Sequence, residues 1–565
     1  MGSNNRREFI RRAGATCTAI AMSPTLLSQA VQPGGTAASE RIRGLMVDAA
    51  RVPESLDYYR RVIEFCAEWG FNTLQFRLTD DQGSALRFAS VPELITHPDA
   101  FTPDQLKRLV EFAKSHGVDV IPEVESFGHT GYITRSARYA HLLDQDPSGS
   151  AEFTGIIPVL PETLQLFENI FREVAAILPS TYLHAGCDEV NWGGSAQSRA
   201  ALQTKSRVQI WAEYLNALNK IGQGLGKQMI VWGDYVLQKE PGILAQLDKN
   251  IIIMDWNYWD TNALQFHDAL ERVQKNGSRG IGAPALISYR WGPRPGRQQL
   301  RNIDAFAQVY CESNDPSSLG AVLTNWVPCR YVQNSLWDGF AYAGMAFKEG
   351  TAVAQVSGFR VFVERHYGAA WNDVWDEAFQ LLYDAAPGMY EHAPISAMGL
   401  HLQVPWSSDD ELAALIKSGA RRANPFTRVR SLLVRAEPSV LRNLSDFHAF
   451  ALCVEYLESI LWRNDVIIEH SAAAGSDQKS SAALIQNIAE RDRAVAEKLS
   501  KDWDQGRSPD SLAKHQLLFE LQPKDQLLYQ WQRAAAYSAE LALHPDRFHQ
   551  LLRRTADLPS ARRSG

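Results

Sequence analysis

Cysteine is scarce in this chain: six in 565 residues, at positions 17, 66, 187, 311, 329 and 453, with no C-x-x-C pair. That argues against a disulfide framework or a zinc module and predicts buried free thiols. An excess of basic residues is also missing. Lys and Arg number 57 against 64 Asp and Glu, a formal net charge of −7, so no nucleic-acid partner is expected. No run reaches about 18 uninterrupted apolar residues, so the mature protein is expected to have no membrane partner. No glycine-rich phosphate loop follows the first predicted strand, and no acids stand with histidines at ligand spacing. Neither a cofactor nor a metal is expected.

What is present is an ordinary globular composition, 45% hydrophobic and 21% charged, long enough for two domains. Fifteen tryptophans and eighteen tyrosines form a heavy aromatic load, read first as packing and second as walls that stack on sugar rings. The amino terminus, "NNRREFIRRAGA", sets Arg6-Arg7 ahead of Phe9-Ile10 and a weakly apolar run. It resembles a bacterial twin-arginine export signal, with Ser28 and Ala30 fitting a small-x-small cleavage site. The expected organisation therefore begins with a signal over 1–30 and a linker over 31–41, for a periplasmic or extracellular protein. That route exports folded chains, which agrees with the scattered cysteines.

From residue 42 one unit repeats: an amphipathic helix, a glycine, then a short apolar run. "VIEFCAEWG" precedes "FNTLQFRL", "LVEFAKSHG" precedes "VDVIPEVE", "LNKIGQGLG" precedes "KQMIVWGD", and "ALERVQKNG" precedes "SRGIGAPALIS". Glycine past a helix end accepts the left-handed conformation that stops the helix. Continuous apolar strands suit a parallel sheet buried on both faces. Eight strands are predicted, near 43–48, 73–78, 118–123, 181–187, 228–233, 250–256, 281–288 and 319–325. The fold class is thus α/β, a (β/α)8 barrel over 42–365, with a weak fifth helix at "PGILAQLDK". An open doubly wound sheet is the alternative. Residues 366–565 read as an all-helical domain, whose Trp462, Trp503, Tyr529 and Trp531 suggest core or homodimer contact rather than active site.

A barrel puts its functional face at the carboxyl ends of its strands. Polar and aromatic residues collect there: Asp48 and Arg51, Asp80 and Asp81, Glu123, Glu125 and His129, then Trp232 and Asp234, Trp256 and Trp259, Tyr289 and Trp291, and Trp326. The fourth end is "YLHAGCDEVNWGG", with Asp188 and Glu189 adjacent. Strand alternation predicts that His184, Gly186 and Asp188 point inward while Cys187 faces the helices. Neighbouring carboxylates repel, so one is expected to stay neutral and serve as proton donor in glycoside cleavage.

These motifs carry a resemblance. "HAGCDE" resembles the H-x-G-G-D-E signature of glycoside hydrolase family 20, the β-N-acetylhexosaminidases, and "RGLMVDAAR", "NTLQFRLTDDQG" and "VIPEVESFGH" resemble its first three strand-end motifs in order. The layout, a barrel soon after the signal and a helical tail, looks closer to the hexosaminidase D-like branch than to members that carry a small α/β domain in front. The resemblance implies an exo-acting, retaining enzyme for glycans ending in a 2-acetamido sugar, whose acetamido oxygen itself attacks the anomeric carbon. By similarity Asp188 orients the acetamido N–H and Glu189 is acid then base; Arg51 holds hydroxyls, and Asp80 with His129 buttresses the glutamate. Trp232, Trp256 and Trp326 form walls, and Tyr289 donates to the acetamido oxygen. There are three departures: Cys187 replaces a glycine, which an outward-facing side chain tolerates, while Pro328 in place of a glutamate and the lack of an aspartate closely after Tyr289 leave the gluco or galacto preference open. A catalytically silent sugar-binding protein and a barrel glycosidase with a carboxylate nucleophile are the alternatives.

Overall fold

The computed structural model describes residues 41–149, 154–288, 293–385, 405–419, 423–473, 477–507 and 526–556. Eight strands run in chain order: β1 Ile42–Val47, β2 Thr73–Arg77, β3 Asp119–Glu123, β4 Tyr182–His184, β5 Gln228–Trp232, β6 Ile252–Trp256, β7 Arg279–Ala283 and β8 Ser318–Asn325. Each pairs in parallel with the next, and β8 returns to β1 through Ile42 opposite Gly320 and Leu45 opposite Leu323, so the sheet closes into a barrel. Closure demands a tight seam there. A Cβ on Gly320, at φ 115°, would stand 2.0 Å from the Ile42 carbonyl oxygen. The predicted signal, and all of the predicted linker except Arg41, lie outside the described residues.

Side-chain alternation sorts the strands into two apolar clusters. Ile42 and Met46 of β1, Ile230 and Trp232 of β5, Ile252 and Met254 of β6 and Ile281 of β7 fill the barrel interior. Leu45, Leu74, Phe76, Val120, Leu183, Val231, Ile253 and Leu323 point outward onto the helices. Burial on both faces is why these strands read as continuous apolar runs. β4 is shorter than predicted: it ends at His184, and Gly186 (φ 65°), Cys187 (φ 74°) and Glu189 (φ 45°) then take left-handed backbone conformations.

Helices α1 Leu56–Trp69, α2 Pro103–Ser115, α3 Pro161–Ile177, α4 Arg207–Gly224, α5 Ala263–Lys275, α6 Arg297–Ala307 and α7 Trp337–Glu349 surround the barrel. Their starts are fixed locally. Ser55 accepts from the Tyr58 N–H, and Thr102 with Gln105 and Ser206 with Gln209 form reciprocal capping boxes. The glycine punctuation holds: Gly70, Gly117, Gly226 and Gly277 all have φ between 71° and 91°. No regular α-helix joins β5 to β6. A π-helical turn, Asp234–Lys239, and a 3-10 turn, Leu244–Gln246, take its place.

The chain continues as helices α8 Thr351–Phe362, α9 Asp373–Ala385, α10 Asp409–Ser418, α11 Pro425–Ala436, α12 Leu444–Ala472, α13 Gln478–Gly506, α14 Leu527–Leu543 and α15 Pro545–Ala556. One apolar core runs from the barrel's helices into them through Trp337, Phe340, Trp375, Phe447 and Phe450. Buried charges pin the contact. Arg294 forks onto Asp338 of α7 at 3.0 and 2.5 Å, Tyr383 of α9 donates to the same carboxylate at 2.8 Å, and Asp446 of α12 accepts from Arg61 at 2.7 Å. No helix among the described residues is long and apolar enough to cross a membrane.

Candidate active site

The turn after β4 carries the acid pair, and three contacts set its shape. The His184 ring nitrogen Nδ1 accepts the Gly186 N–H at 3.0 Å, and Glu125 accepts the Cys187 N–H at 3.1 Å. Asp234, at the end of β5, accepts the Glu189 N–H at 3.2 Å. A neutral imidazole suits the first contact: burial draws the His184 pKa down to about 4. Cys187 sits in the outer apolar cluster with Val190 and Trp192. Asp188 is buried, and its Oδ1 has no hydrogen-bond partner among the described residues. The Glu189 side chain is 33% exposed at the mouth.

His129, on the loop after β3, joins the pair. Its Nε2 lies 3.2 Å from Glu189 Oε2 and 3.8 Å from Asp188 Oδ2, while Nδ1 faces Asp81 at 3.3 Å and Asp80 at 3.5 Å. Burial disfavours charge on this imidazole, but Asp188, Asp81, Glu189 and Asp80 together raise its pKa well above the ordinary value. The same cation acts back on the acids. For Asp188 burial dominates and the pKa rises. For Glu189 burial is outweighed by His129, Arg51 and Lys239, and the pKa falls. In the open cleft Asp188 thus holds a proton more tightly than an ordinary aspartate, and Glu189 less tightly than an ordinary glutamate. His129, Asp188 and Glu189 place ligand atoms within 4.8 Å of one another and could hold a cation, which would have to displace the imidazolium proton.

Arg51 is buried after β1, bound to Asp48 at 3.0 Å and Asp80 at 3.2 Å, with its guanidinium 5.3 Å from the Trp326 ring centre. Burial favours the neutral acid at Asp80, yet Arg51, Arg77 and His129 hold its pKa below the ordinary range. Asp48 also accepts the Val327 N–H at 3.0 Å, tying the end of β1 to the end of β8. Trp232 donates to Glu123 at 3.0 Å and meets Trp326 at 5.9 Å between ring centres; Trp326 donates to the Tyr258 hydroxyl at 3.0 Å. Trp256 is half-buried and packs on Tyr258 at 5.1 Å. Tyr289 and Trp291 lie outside the described residues. Arg51, Asp80, His129, Asp188, Glu189, Trp232 and Trp326 are thereby linked through shared contacts, and Trp256 adjoins them through Tyr258.

A fully buried Arg77, which the strand-end pattern alone does not single out, joins the strand-end carboxylates. It contacts Glu123 and Glu125 at 2.6 Å each and Asp80 at 2.7 Å, with Asp48 3.7 Å away. Burial is resisted unequally. Arg77, His184, Gln75 and Trp232 hold the Glu123 pKa down, whereas burial and the charge of Asp188 push Glu125 well up. A signal for Arg77 does exist in the sequence: Gln75 and Arg77 are polar at alternate positions of the apolar strand "TLQFR". Asp234 stands at a strand end without being among the expected site residues. Tyr258 and Lys239 escape a sequence reading because only folding brings their turns to the acids.

The closed parallel barrel thus gathers paired acids, an imidazole, an arginine and tryptophans at its strand ends. Residues 41–291 match the family model for the glycosyl hydrolase family 20 catalytic domain. It is similar to a beta-hexosaminidase of Vibrio furnissii, 26% identical over 249 residues, covering 38% of this chain and 40% of that protein. A beta-N-acetylhexosaminidase of Cellulomonas fimi is 28% identical over 242 residues, 39% of this chain and 43% of the relative. The chain thus spans less than half the length of either relative. Among solved structures, the family 20 exo beta-N-acetylglucosaminidase of Vibrio harveyi in complex with N-acetylglucosamine has a TM-score of 0.45 at 22% identity, covering 55% of this chain and 54% of that one.

Proposed function

We propose that the protein is an exo-acting β-N-acetylhexosaminidase that releases terminal β-linked 2-acetamido sugars with retention, using the substrate's own acetamide as nucleophile. The observation that carries this reading is the Asp188–Glu189 pair joined by His129, with Asp188 Oδ1 buried and unpartnered. An orphaned buried carboxylate oxygen is costly unless a ligand supplies a donor, and an acetamido N–H is such a donor. In the first step the acetamido oxygen bonds to C1 as the C1–O bond to the leaving group breaks, and Glu189 gives its proton to the departing oxygen. In the second, water adds to C1, Glu189 takes the water's proton, and the oxazolinium ring opens to restore the acetamide.

Asp188 carries the negative charge that faces the developing oxazolinium, and a substrate N–H bonded to it favours that ionised form. Sugar filling the cleft strips water from the Glu189 carboxyl and raises its proton affinity, so occupation of the site reverses the bias of the open cleft. Trp232 and Trp326 offer apolar walls, and Arg51 a fork of donors for hydroxyls.

The direct test is turnover of aryl 2-acetamido-β-gluco- and galactosides beside the 2-hydroxy analogues. Turnover of the acetamido sugars alone supports the reading; equal turnover of the 2-hydroxy sugars refutes substrate assistance. Glu189→Gln should lose about 10²–10⁴ in kcat and still bind a thiazoline inhibitor. Pro328 motivates the second reading, a silent sugar-binding protein, which predicts inhibitor binding without turnover in the wild type. We also propose export to the periplasm or beyond, on the strength of Arg6-Arg7 before an apolar run. N-terminal sequencing of the secreted mature chain tests that, and an intact Met1 refutes it.

A further inference from the structure

The helical region reaches the carboxyl-end face of the barrel through the last turn of α13. Trp503 sits there in the buried interior cluster that also holds Val52, Trp232, Trp326, Val327 and Cys329. One turn on, Arg507 is buried and stacks over Trp503 at 4.1 Å. Its Nη2 donates to the Tyr331 carbonyl at 2.8 Å, and its Nε lies 3.6 Å from Glu54 Oε1. Gln333 donates to the other Glu54 oxygen at 2.9 Å, and Gly506 approaches so closely that a Cβ there would meet the Gln333 amide oxygen at 2.4 Å.

Both segments gripped in this way lead directly to the sugar site. Glu54 lies three residues beyond Arg51. Tyr331 accepts from Asn325 at 2.7 Å, and Asn325 immediately precedes Trp326. Asp48 ties the same two ends from within, through the Arg51 guanidinium and the Val327 N–H. Packing of α14 on the turn Pro328–Arg330 covers the same loop from outside. A barrel needs no such brace to close, because β8 already pairs with β1.

We propose that Arg507, seated by Trp503, is a positioning residue of the active site, and that the helical region serves to hold the loops after β1 and β8 so that Arg51 and Trp326 face the sugar. The inference rests on the hydrolase reading for its kinetic consequence but not for its structural one. A guanidinium is suited to the task because its rigid planar fork directs separate nitrogens towards the carbonyl and the carboxylate, whereas an ammonium is a single point charge on a flexible stem. Weakening this brace frees groups that bind the sugar in ground and transition state alike, so KM should suffer more than kcat.

The experiment uses the full chain with Arg507→Gln and Arg507→Lys. On an aryl 2-acetamido-β-glycoside, Arg507→Gln should raise KM about tenfold with kcat within about threefold, and Arg507→Lys should fall between. Deuterium uptake should rise in peptides covering 51–54 and 326–333 while the rest of the barrel keeps its protection. Unchanged uptake in those two peptides overturns the inference, as does a KM equal to the wild type's. A wild type that hydrolyses nothing defeats the hydrolase reading instead, and the uptake result still decides the brace. Should Arg507→Gln not fold, Trp503→Phe carries the same two readouts.

Discussion

Gly186→Ala offers the sharpest test of how the acid pair is presented. Gly186 stands at φ 65°, and a Cβ there would lie 2.0 Å from Glu125 Oε2, 2.4 Å from Cδ and 2.8 Å from Oε1. An ordinary carbon–oxygen contact needs about 3.3 Å, so the carboxyl must retreat by more than ~1 Å. That carboxyl is fully buried, held by Arg77 at 2.6 Å and by the Cys187 N–H at 3.1 Å, so it has no free direction. Left-handed backbone costs an alanine about 1–2 kcal/mol, and a lost charged hydrogen bond about 1.5–3 kcal/mol. The variant should therefore be about 3–5 kcal/mol less stable, seen as a lower urea midpoint. Its kcat should fall about 100-fold, because a displacement near 1 Å at catalytic groups has that effect. Gly226→Ala is the control: φ is 73°, nothing lies within 4 Å, and it should show the backbone cost with kcat intact. A Gly186→Ala enzyme whose kcat stays within threefold of wild type would falsify the packing argument.

His129→Gln removes the cation that holds the Glu189 pKa down, so the alkaline limb of kcat/KM should move to higher pH; a limb that moves to lower pH contradicts the role assigned to this imidazolium. In the wild type the raised His129 pKa contributes stability that is complete below about pH 6.5 and is lost as pH rises through the higher folded value; the variant should lack this decline in urea titrations. Arg77→Met strands three buried carboxylates and should cost more than about 3–5 kcal/mol; a urea midpoint equal to wild type refutes the network's role. Burial pushes the Asp234 pKa up to about 6, so the wild type loses stability from this group as pH rises from about 4 through 6. Asp234→Asn should show a flatter stability curve over that window, and an identical slope would dismiss the assignment.

The barrel was legible because its signals are local. A capped amphipathic helix, a glycine at positive φ and an apolar strand are each set by residues within one unit, and repeating the unit fixed the eight strands to within a few residues. Polar strand ends were legible for the same reason, and Asp188-Glu189 stood out where an apolar run stops. The missing fifth helix was foreshadowed only by the poor helical pattern of "PGILAQLDK". Alternation was carried too far past His184, since it holds only while the backbone stays extended and three residues after β4 do not.

By itself, then, the sequence determined the kind of fold, the order of its strands and the ends at which chemistry collects. Tertiary structure alone decided that Arg77 joins Asp80, Glu123 and Glu125, that His129 joins the loop after β3 to the acid pair, and that Trp503 and Arg507 pack near Trp326 from more than 170 residues further along the chain. The division has a physical cause. Periodicity and capping act over one turn or one strand, whereas buried charge and ring packing depend on distances between segments that the chain leaves undefined until the barrel has closed.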